Sequence, residues 1–374
     1  MLDVLMVGAG IGGLTAARSL ARGGASVALV ERAARPSAAG AGIVLGGNAM
    51  ACLDALELGS AVAARGRAVD EMEISDRTGR TLRRTSVALP GLPAPVAVHR
   101  HALHEALQDG VSGVSLYAGT TVEALREETD AVECSLSSGE VLRARLVVGA
   151  DGIGSQIRKL AFGAPERAYA GYTCWRAVVP DPGVPHPVEM WGRGQRVGLV
   201  PLGAGQLYMF LVADAPAGTP GEPVSAEALR ARFASFGGHA PAALARLGEA
   251  QEILHHDIDH LPRHDFGRGR VALLGDAAHA MTPNMGQGAG MAIEDGFVLA
   301  EALRDAGPTP EAVAVYRQRR AARVAGVARN SLRLGAVAQW STPWLCWLRD
   351  ALFRALPASA DRAQLQALLQ AGPA

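Results

Sequence analysis

The feature that most constrains this chain is its first 32 residues. Val4 to Val7 is an apolar run of the length of a buried parallel strand, and Gly8-Ala-Gly10-Ile11-Gly12-Gly13 then turns the chain into an Ala/Leu-patterned helix. A second apolar run, Val27 to Val30, ends at Glu31. Strand, glycine turn, helix, strand and acid in this order make a complete βαβ unit. Gly8 permits the tight turn, Gly10 lets a pyrophosphate come close to the backbone, and Gly13 lets helix and strand pack closely. The helix N-terminus offers unpaired N–H groups and a partial positive charge to the phosphates. Glu31 stands where a carboxylate accepts hydrogen bonds from both hydroxyls of a ribose. The unit predicts a bound dinucleotide, with NAD and FAD both open at this point.

The totals narrow the class. A chain of 374 residues exceeds what one core usually supports, so two domains, or one large domain with an excursion, are expected. Formal net charge is zero with no basic block, which argues against a nucleic-acid partner. Lys159 is the only lysine, so a mechanism that needs a lysine elsewhere is excluded. Cys52, Cys134, Cys174 and Cys346 are widely spaced, and no C-x-x-C pair indicates a zinc site or a redox disulfide. A reducing cytosol suits such cysteines. No secretory signal is read at the N-terminus, and no apolar run reaches the roughly 18 residues that span a bilayer. A soluble, cytoplasmic protein without a transmembrane segment follows as the expectation.

Beyond Glu31 comes a loop rich in Gly and small residues, from Arg32 to Asn48, and a helix over 49–58. The loop can wrap the ribose and approach a bound ring, or it can be a flexible connection. Residues 71–86 read as two strands about Asp76-Arg-Thr-Gly79-Arg, a proline-marked linker leads back to Val96, and a helix is expected from His101 to Gln108. Strands are expected at 115–117, 121–126, 132–137 and 141–148. Over 167–262 the pattern changes to short aromatic or β-branched segments bounded by Pro and Gly, which indicates an antiparallel sheet. βα character returns at Arg270. The expected organisation is α/β: a discontinuous Rossmann-like, three-layer dinucleotide domain of residues 1–70, 97–166 and 263–330, an inserted antiparallel-sheet substrate domain of 71–96 and 167–262, and a C-terminal helical segment, 331–374. A long helix should run from Pro310 to about Ala338, with Tyr316 to Arg323 basic on one side. Trp340, Trp344, Trp347, Leu352 and Phe353 are spaced as one apolar face of a terminal helix packed onto the body. His255, His256, Asp257, Asp259, His260 and His264 resemble metal ligands in composition, but read as a solvated connection before a strand; no metal is expected.

Two further stretches carry chemistry. In Leu146-Val-Val-Gly-Ala-Asp151-Gly152, a buried strand ends in Asp-Gly, and Ser155 and Arg158 follow on a helix. In Arg270-Val-Ala-Leu-Leu-Gly275-Asp276-Ala-Ala-His279, another strand ends in Gly-Asp, and Pro283 and Gly286-Gln287-Gly288 lead into a helix containing Glu294-Asp295. Gly286 to Gly288 open a second helix N-terminus suited to a phosphate or a ring. Together with Gly8 to Gly13, these motifs resemble the single-component (class A) FAD-dependent monooxygenases, the family of para-hydroxybenzoate hydroxylase, over Met1 to about Arg323. The resemblance implies non-covalent FAD. Gly8, Gly10, Ile11, Gly12 and Gly13 would serve its pyrophosphate, and Glu31 with Arg32 its adenosine ribose. Gly42 would lie in the wrapping loop, Arg100 near the phosphates and Asp276 on the ribityl chain. Gly286, Gln287 and Gly288 would place N–H groups near the flavin pyrimidine, and Asp151 would serve both FAD and nicotinamide binding.

Within that family, Tyr169 to Arg176 and Gly286 to Asp295 look closest to a branch holding salicylate hydroxylases, 3-hydroxybenzoate 6-hydroxylases, FAD-dependent urate hydroxylase and zeaxanthin epoxidase. Arg196 and Tyr208 match positions that hold substrate in the urate enzyme, and Pro283 is a third expected substrate contact. Gly47 departs from the proline usual in relatives. The implied activity takes NADH or NADPH as transient reductant and dioxygen as co-substrate. A flavin C4a-hydroperoxide then hydroxylates an aromatic, heteroaromatic or polycyclic small molecule. No side-chain nucleophile is required, no general base is assigned, and His279 reads as structural. A monomer or a homodimer would serve. The competing readings are a flavin-dependent epoxidase or reductase of an isoprenoid or polyene, and a non-catalytic flavin-binding partner protein. A disulfide reductase would need a second glycine motif and a cysteine pair, which are absent.

Overall fold

The computed structural model describes residues 1–35, 41–109, 113–218, 224–356, 365–366 and 368–369. Residues 36–40 of the expected ribose loop, and most of 357–374 in the expected C-terminal segment, lie outside the described residues. The opening unit forms as strand Leu2–Val7, helix Ile11–Arg22 and strand Val27–Glu31. Leu2–Val7 is paired in parallel on both edges, with Val27–Glu31 on one side and Val141–Gly149 on the other. Past Asp3 at its outer end, this strand has both edges bonded and both faces covered and no position for a polar side chain, and Val4, Leu5 and Met6 are fully buried. The sheet holding it has eight strands. Its main path runs Gly267–Arg268, Val271–Leu273, Val141–Gly149, Leu2–Val7, Val27–Glu31, Val114–Ala118, and the hairpin Val122–Glu127 with Val132–Leu136 attaches to the first half of Val141–Gly149.

A second sheet of seven strands runs Ile253–His260, Ala168–Pro180, Gln206–Asp214, Gln195–Pro201, Val188–Trp191, Glu71–Asp76, Thr81–Ser86. All its pairs are antiparallel except Val188–Trp191 with Glu71–Asp76. The period-2 alternation of strand side chains gives this sheet two faces. On one, Trp175, Ala177, Val179, Met209 and Leu211 form a core with Phe233, Phe236 and Leu244 from the following helical region. On the other, Val178, Tyr208 and Phe210 pack with Val44 of the strand Gly42–Leu45, which belongs to a three-stranded sheet linking the two halves.

Two expectations are corrected. The histidine-rich stretch is the edge strand Ile253–His260, in register with Ala168–Pro180. An edge strand needs only one ladder and tolerates polar side chains, so its composition imitates a loop. The expected long helix forms as Pro310–Ala338, with Val324, Val327, Ser331 and Gly335 on one buried stripe. In the terminal helix Pro343–Ala355 the tryptophans face outward: Trp344 and Trp347 are 63% and 70% exposed, while Cys346 and Arg349 are buried. Arg349 sets that rotation by donating to the carbonyls of Gly192 and Ala338 and lying over the Trp191 ring. Among the described residues no helix is long and apolar enough to cross a membrane.

Candidate active site

The glycines of the first turn divide into two kinds. Gly8 has φ +105°, and a Cβ built there would fall 2.5 Å from the Ala150 carbonyl oxygen; at Gly13 it would fall 2.0 Å from that of Gly8. These two positions, with Gly12 against Leu274, are closed by the protein itself. Gly10, the N-cap of Ile11–Arg22, has nothing within 4 Å of such a Cβ, so the space beside it is free for a ligand. Ile11 is buried behind it. Glu31 accepts from the Ala9 N–H through Oε2 (2.7 Å) and from the Ala33 N–H through Oε1 (2.8 Å), which fixes its carboxylate at the rim of the turn, and Arg32 is exposed next to it.

The other two motifs are stapled together. Asp151 caps the helix Gln156–Phe162: its Oδ2 accepts from Gln156 N–H (2.7 Å) and Ile157 N–H (3.1 Å), and its Oδ1 from Ser155 Oγ (2.6 Å). Arg158, buried on that helix, donates to the carbonyls of Ala277 (3.0 Å), Ala278 (3.1 Å) and Arg263 (3.0 Å). The Asp151 carboxylate is thus committed to its own helix, and Arg158 holds the strand-end carrying Gly275. Asp276 is exposed at the start of Asp276–His279.

Gly286, left-handed at φ +62°, ends the turn Pro283–Met285, and Gln287 is the buried N-cap of Gly288–Ala306. The first N–H groups of this helix have no partner within it. Beneath the turn lies a buried charge network that sequence reasoning missed. Arg320 donates to Glu294 and to Asp295, both at 2.6 Å, and Arg323 to Glu294 at 2.7 and 2.5 Å. His279 Nε2 meets Asp295 Oδ2 at 2.5 Å, and the same oxygen accepts from the Gly275 N–H. Burial by itself would raise the Asp295 carboxyl, but His279, Arg320 and the Gly275 N–H hold it down at about 2. Asn48 carries the network upward, donating to Glu294 (2.6 Å) and to Gln287 (3.4 Å). The turns at Gly275 and at Gly286 to Gly288 therefore rest on one set of ion pairs. The signal was present as Glu294-Asp295 and an Arg320/Arg323 pair at i, i+3, but nothing local says that the two sets meet.

The interdomain face of the second sheet closes over this region. Tyr208 lies against Gly42, where a Cβ would come 2.4 Å from the tyrosine's own Cβ. Tyr172 is bonded through its hydroxyl to Asn284, next to the exposed Pro283. Arg196 is buried and engaged: it pairs with Glu189 (2.9 Å), donates to Gln339 (2.7 Å) and lies over the Tyr172 ring. Arg196 stands opposite Val212 and Tyr208 opposite Val200, so the two do not meet. Arg100 is exposed at the start of Arg100–Gln108, its own N–H bonded to Ala41. Gly47 opens the helix Gly47–Ala55 against Pro93 and Leu92. Leu365 packs on the sheet face near Tyr208, Leu369 reaches Gly46, and Arg323 holds the Leu368 carbonyl.

The free space at Gly10, the fixed Glu31, the exposed Asp276 and the open helix N-terminus at Gly286 to Gly288 fit an extended FAD. Comparison with known proteins agrees. A family described as an FAD binding domain matches residues 1–331. The chain is 38% identical to an aurachin C monooxygenase/isomerase of Stigmatella aurantiaca, over 96% of this chain and 95% of that protein. It is 34% identical to a 2-heptyl-3-hydroxy-4(1H)-quinolone synthase of Pseudomonas aeruginosa, over 99% and 98%. Its fold is similar to the crystal structure of Klebsiella pneumoniae HpxO complexed with FAD and uric acid, with a TM-score of 0.89, 28% identity, and coverage of 100% of this chain and 97% of that one. The motifs, their geometry and these likenesses agree, and the chain belongs to the FAD-binding family of class A flavin monooxygenases.

Proposed function

We propose that this protein uses NAD(P)H and dioxygen to hydroxylate an aromatic or heteroaromatic small molecule held between the flavin end of the FAD site and the second sheet. The observation that carries the reading is the meeting of Tyr208 with Gly42 and of Tyr172 with Asn284, which sets one sheet face over the turns at 42–48 and 283–288. The relatives support the substrate class, being named for a quinolone, for aurachin C and, in HpxO, for a complex with uric acid. When bound, FAD supplies the redox and oxygen-transfer chemistry. The chain's own residues bind and orient. Gly8 to Gly13 receive the pyrophosphate, with Gly10 the point of closest approach, and Glu31 with Arg32 takes the adenosine ribose. Asp276 takes the ribityl hydroxyls, and the N–H groups of Gly286, Gln287 and Gly288 face the flavin pyrimidine, where a helix N-terminus favours negative charge. Asp151 acts through the helix it caps, Arg100 from the phosphate side, and Pro283 and Tyr208 from the substrate side. The buried network under Asn48 and Gly275 keeps these turns in register. The protein is proposed to work in the cytoplasm as a monomer or homodimer.

The test is purified holoprotein with NADH or NADPH and a panel of aromatic acids, phenols, quinolones and purines. Stimulated NAD(P)H oxidation, with oxygen from dioxygen found in the product, is expected for at least one class. Protein that takes up no FAD, or whose oxidation of NAD(P)H responds to none of them, overturns the reading.

A further inference from the structure

Arg176 lies on the sheet face that looks toward the flavin-end turns, on the strand next to the edge strand Ile253–His260. On its strand, Ala168–Pro180, the side chains of Trp175 and Ala177 belong to the opposite, helix-covered core. Cys174 and Val178, two residues to either side of Arg176, pack with the interdomain groups Tyr172, Val212, Tyr208 and Val44. Arg176 shares that parity and pairs in register with Phe210. It therefore points into the gap bounded by Tyr172 with Asn284 at one end and by Tyr208 with Gly42 at the other.

What distinguishes it is its company. The groups that interact with its guanidinium are the Cys174 thiol and the Tyr208 hydroxyl, and burial pushes both of these up in pKa, so both are neutral at neutral pH. Across the strand pair, His256 is pushed down by burial and by Arg176, so it stays neutral and no second positive charge stands there. Among the described residues no Asp or Glu pairs with Arg176, whereas Arg196, Arg320, Arg323 and Arg349 on nearby elements all have carboxylate partners. A half-buried guanidinium held by neutral dipoles and paired with no carboxylate among the described residues is suited to an anion, and its planar fork fits a carboxylate or an ionised ring oxygen.

We infer that Arg176, with the Tyr208 hydroxyl, anchors an anionic oxygen of the substrate: a carboxylate, a phenolate, or the enolate-type oxygen of a quinolone or purine. The inference rests on the proposed aromatic or heteroaromatic substrate and sharpens it, since a phenolate or enolate-type oxygen on the ring also enriches that ring toward electrophilic attack. Arg196, already paired with Glu189, does not compete for this role.

The test titrates FAD-loaded wild type, Arg176→Gln and Arg176→Lys with salicylate, 4-hydroxyquinoline-2-carboxylate and urate, and with salicylamide and quinoline as neutral counterparts, following flavin absorbance and fluorescence. Loss of one charge-assisted contact should raise Kd for the anionic ligands about 10- to 100-fold in Arg176→Gln, with neutral ligands unmoved and FAD content unchanged. In wild type, affinity for urate should rise as pH passes the ligand's own first ionisation, and this dependence should flatten in Arg176→Gln. Arg176→Lys keeps a point charge without the fork and should fall between the two; it carries the test if Arg176→Gln fails to take up FAD. Anionic ligands that bind wild type and both variants alike overturn this inference and leave the hydroxylase reading standing. If no aromatic ligand perturbs the flavin of wild type, both fall.

Discussion

Replacing Gly10 by Ala separates a cofactor role from a packing role within one four-residue turn. Gly10 lies at φ −72° and ψ −179°, a region open to alanine, and a Cβ there meets nothing within 4 Å. The apoprotein should therefore fold with its stability changed by less than about 1 kcal/mol, since Gly to Ala at a permitted conformation mainly restricts the unfolded chain. FAD should suffer instead, because the added methyl takes the space through which the pyrophosphate approaches the helix N-terminus. Losing one or two charge-assisted hydrogen bonds, about 1.5–3 kcal/mol each, raises the FAD Kd by at least about tenfold. Gly13→Ala is the contrast: its Cβ would lie 2.0 Å from the Gly8 carbonyl oxygen, so the backbone itself must move. Overpacking of that kind costs about 1–3 kcal/mol or more, and the apoprotein should melt several degrees lower. The assay is quenching of FAD fluorescence by added apoprotein, beside thermal melts of both apoproteins. An unchanged FAD Kd in Gly10→Ala, or equal destabilisation by the two variants, would refute the division drawn from the two Cβ environments.

Two further outcomes are expected. Arg320→Met leaves Glu294 and Asp295, both fully buried, without their shared guanidinium, and should cost about 3–5 kcal/mol in denaturant titrations at neutral pH. Because the Asp295 carboxyl is held at about 2, below its usual 3.8, its contribution is complete above pH 4 and disappears as pH falls toward 2, so the gap between variant and wild type should narrow over that range. A variant as stable as wild type would show that the network does not support the fold. Burial first, then His279 and Arg158, push His264 down to about 4 from 6.5, so the unfolded chain takes up that proton earlier as pH falls. Wild-type stability should decline between pH 6.5 and 4, and His264→Gln should melt with a shallower decline; parallel melting curves against pH would remove His264 as the cause.

Local pattern made the opening βαβ unit legible, because glycine spacing, strand length and the acid after the second strand are all consequences of one short-range geometry. The same holds for the ends of the strands at Asp151 and Gly275, for most strands of the second sheet, whose alternation is local, and for the helix from Pro310. The sequence also pointed to FAD once three such turns were read in order. Tertiary structure alone decided which charges meet. Arg320 and Arg323 find Glu294 and Asp295 because the consecutive helices Gly288–Ala306 and Pro310–Ala338 pack against each other under the turns at Gly275 and Gly286. Arg196 is spent on Glu189 while Arg176, one face-sharing strand away, is left without a carboxylate. Nor could periodicity set the rotation of the terminal helix, since Arg349 satisfies two buried carbonyls and turns Trp344 and Trp347 outward. Hydrophobic spacing repeats every few residues and is read along the chain, whereas a buried charge is decided by partners that only the fold brings within 3 Å.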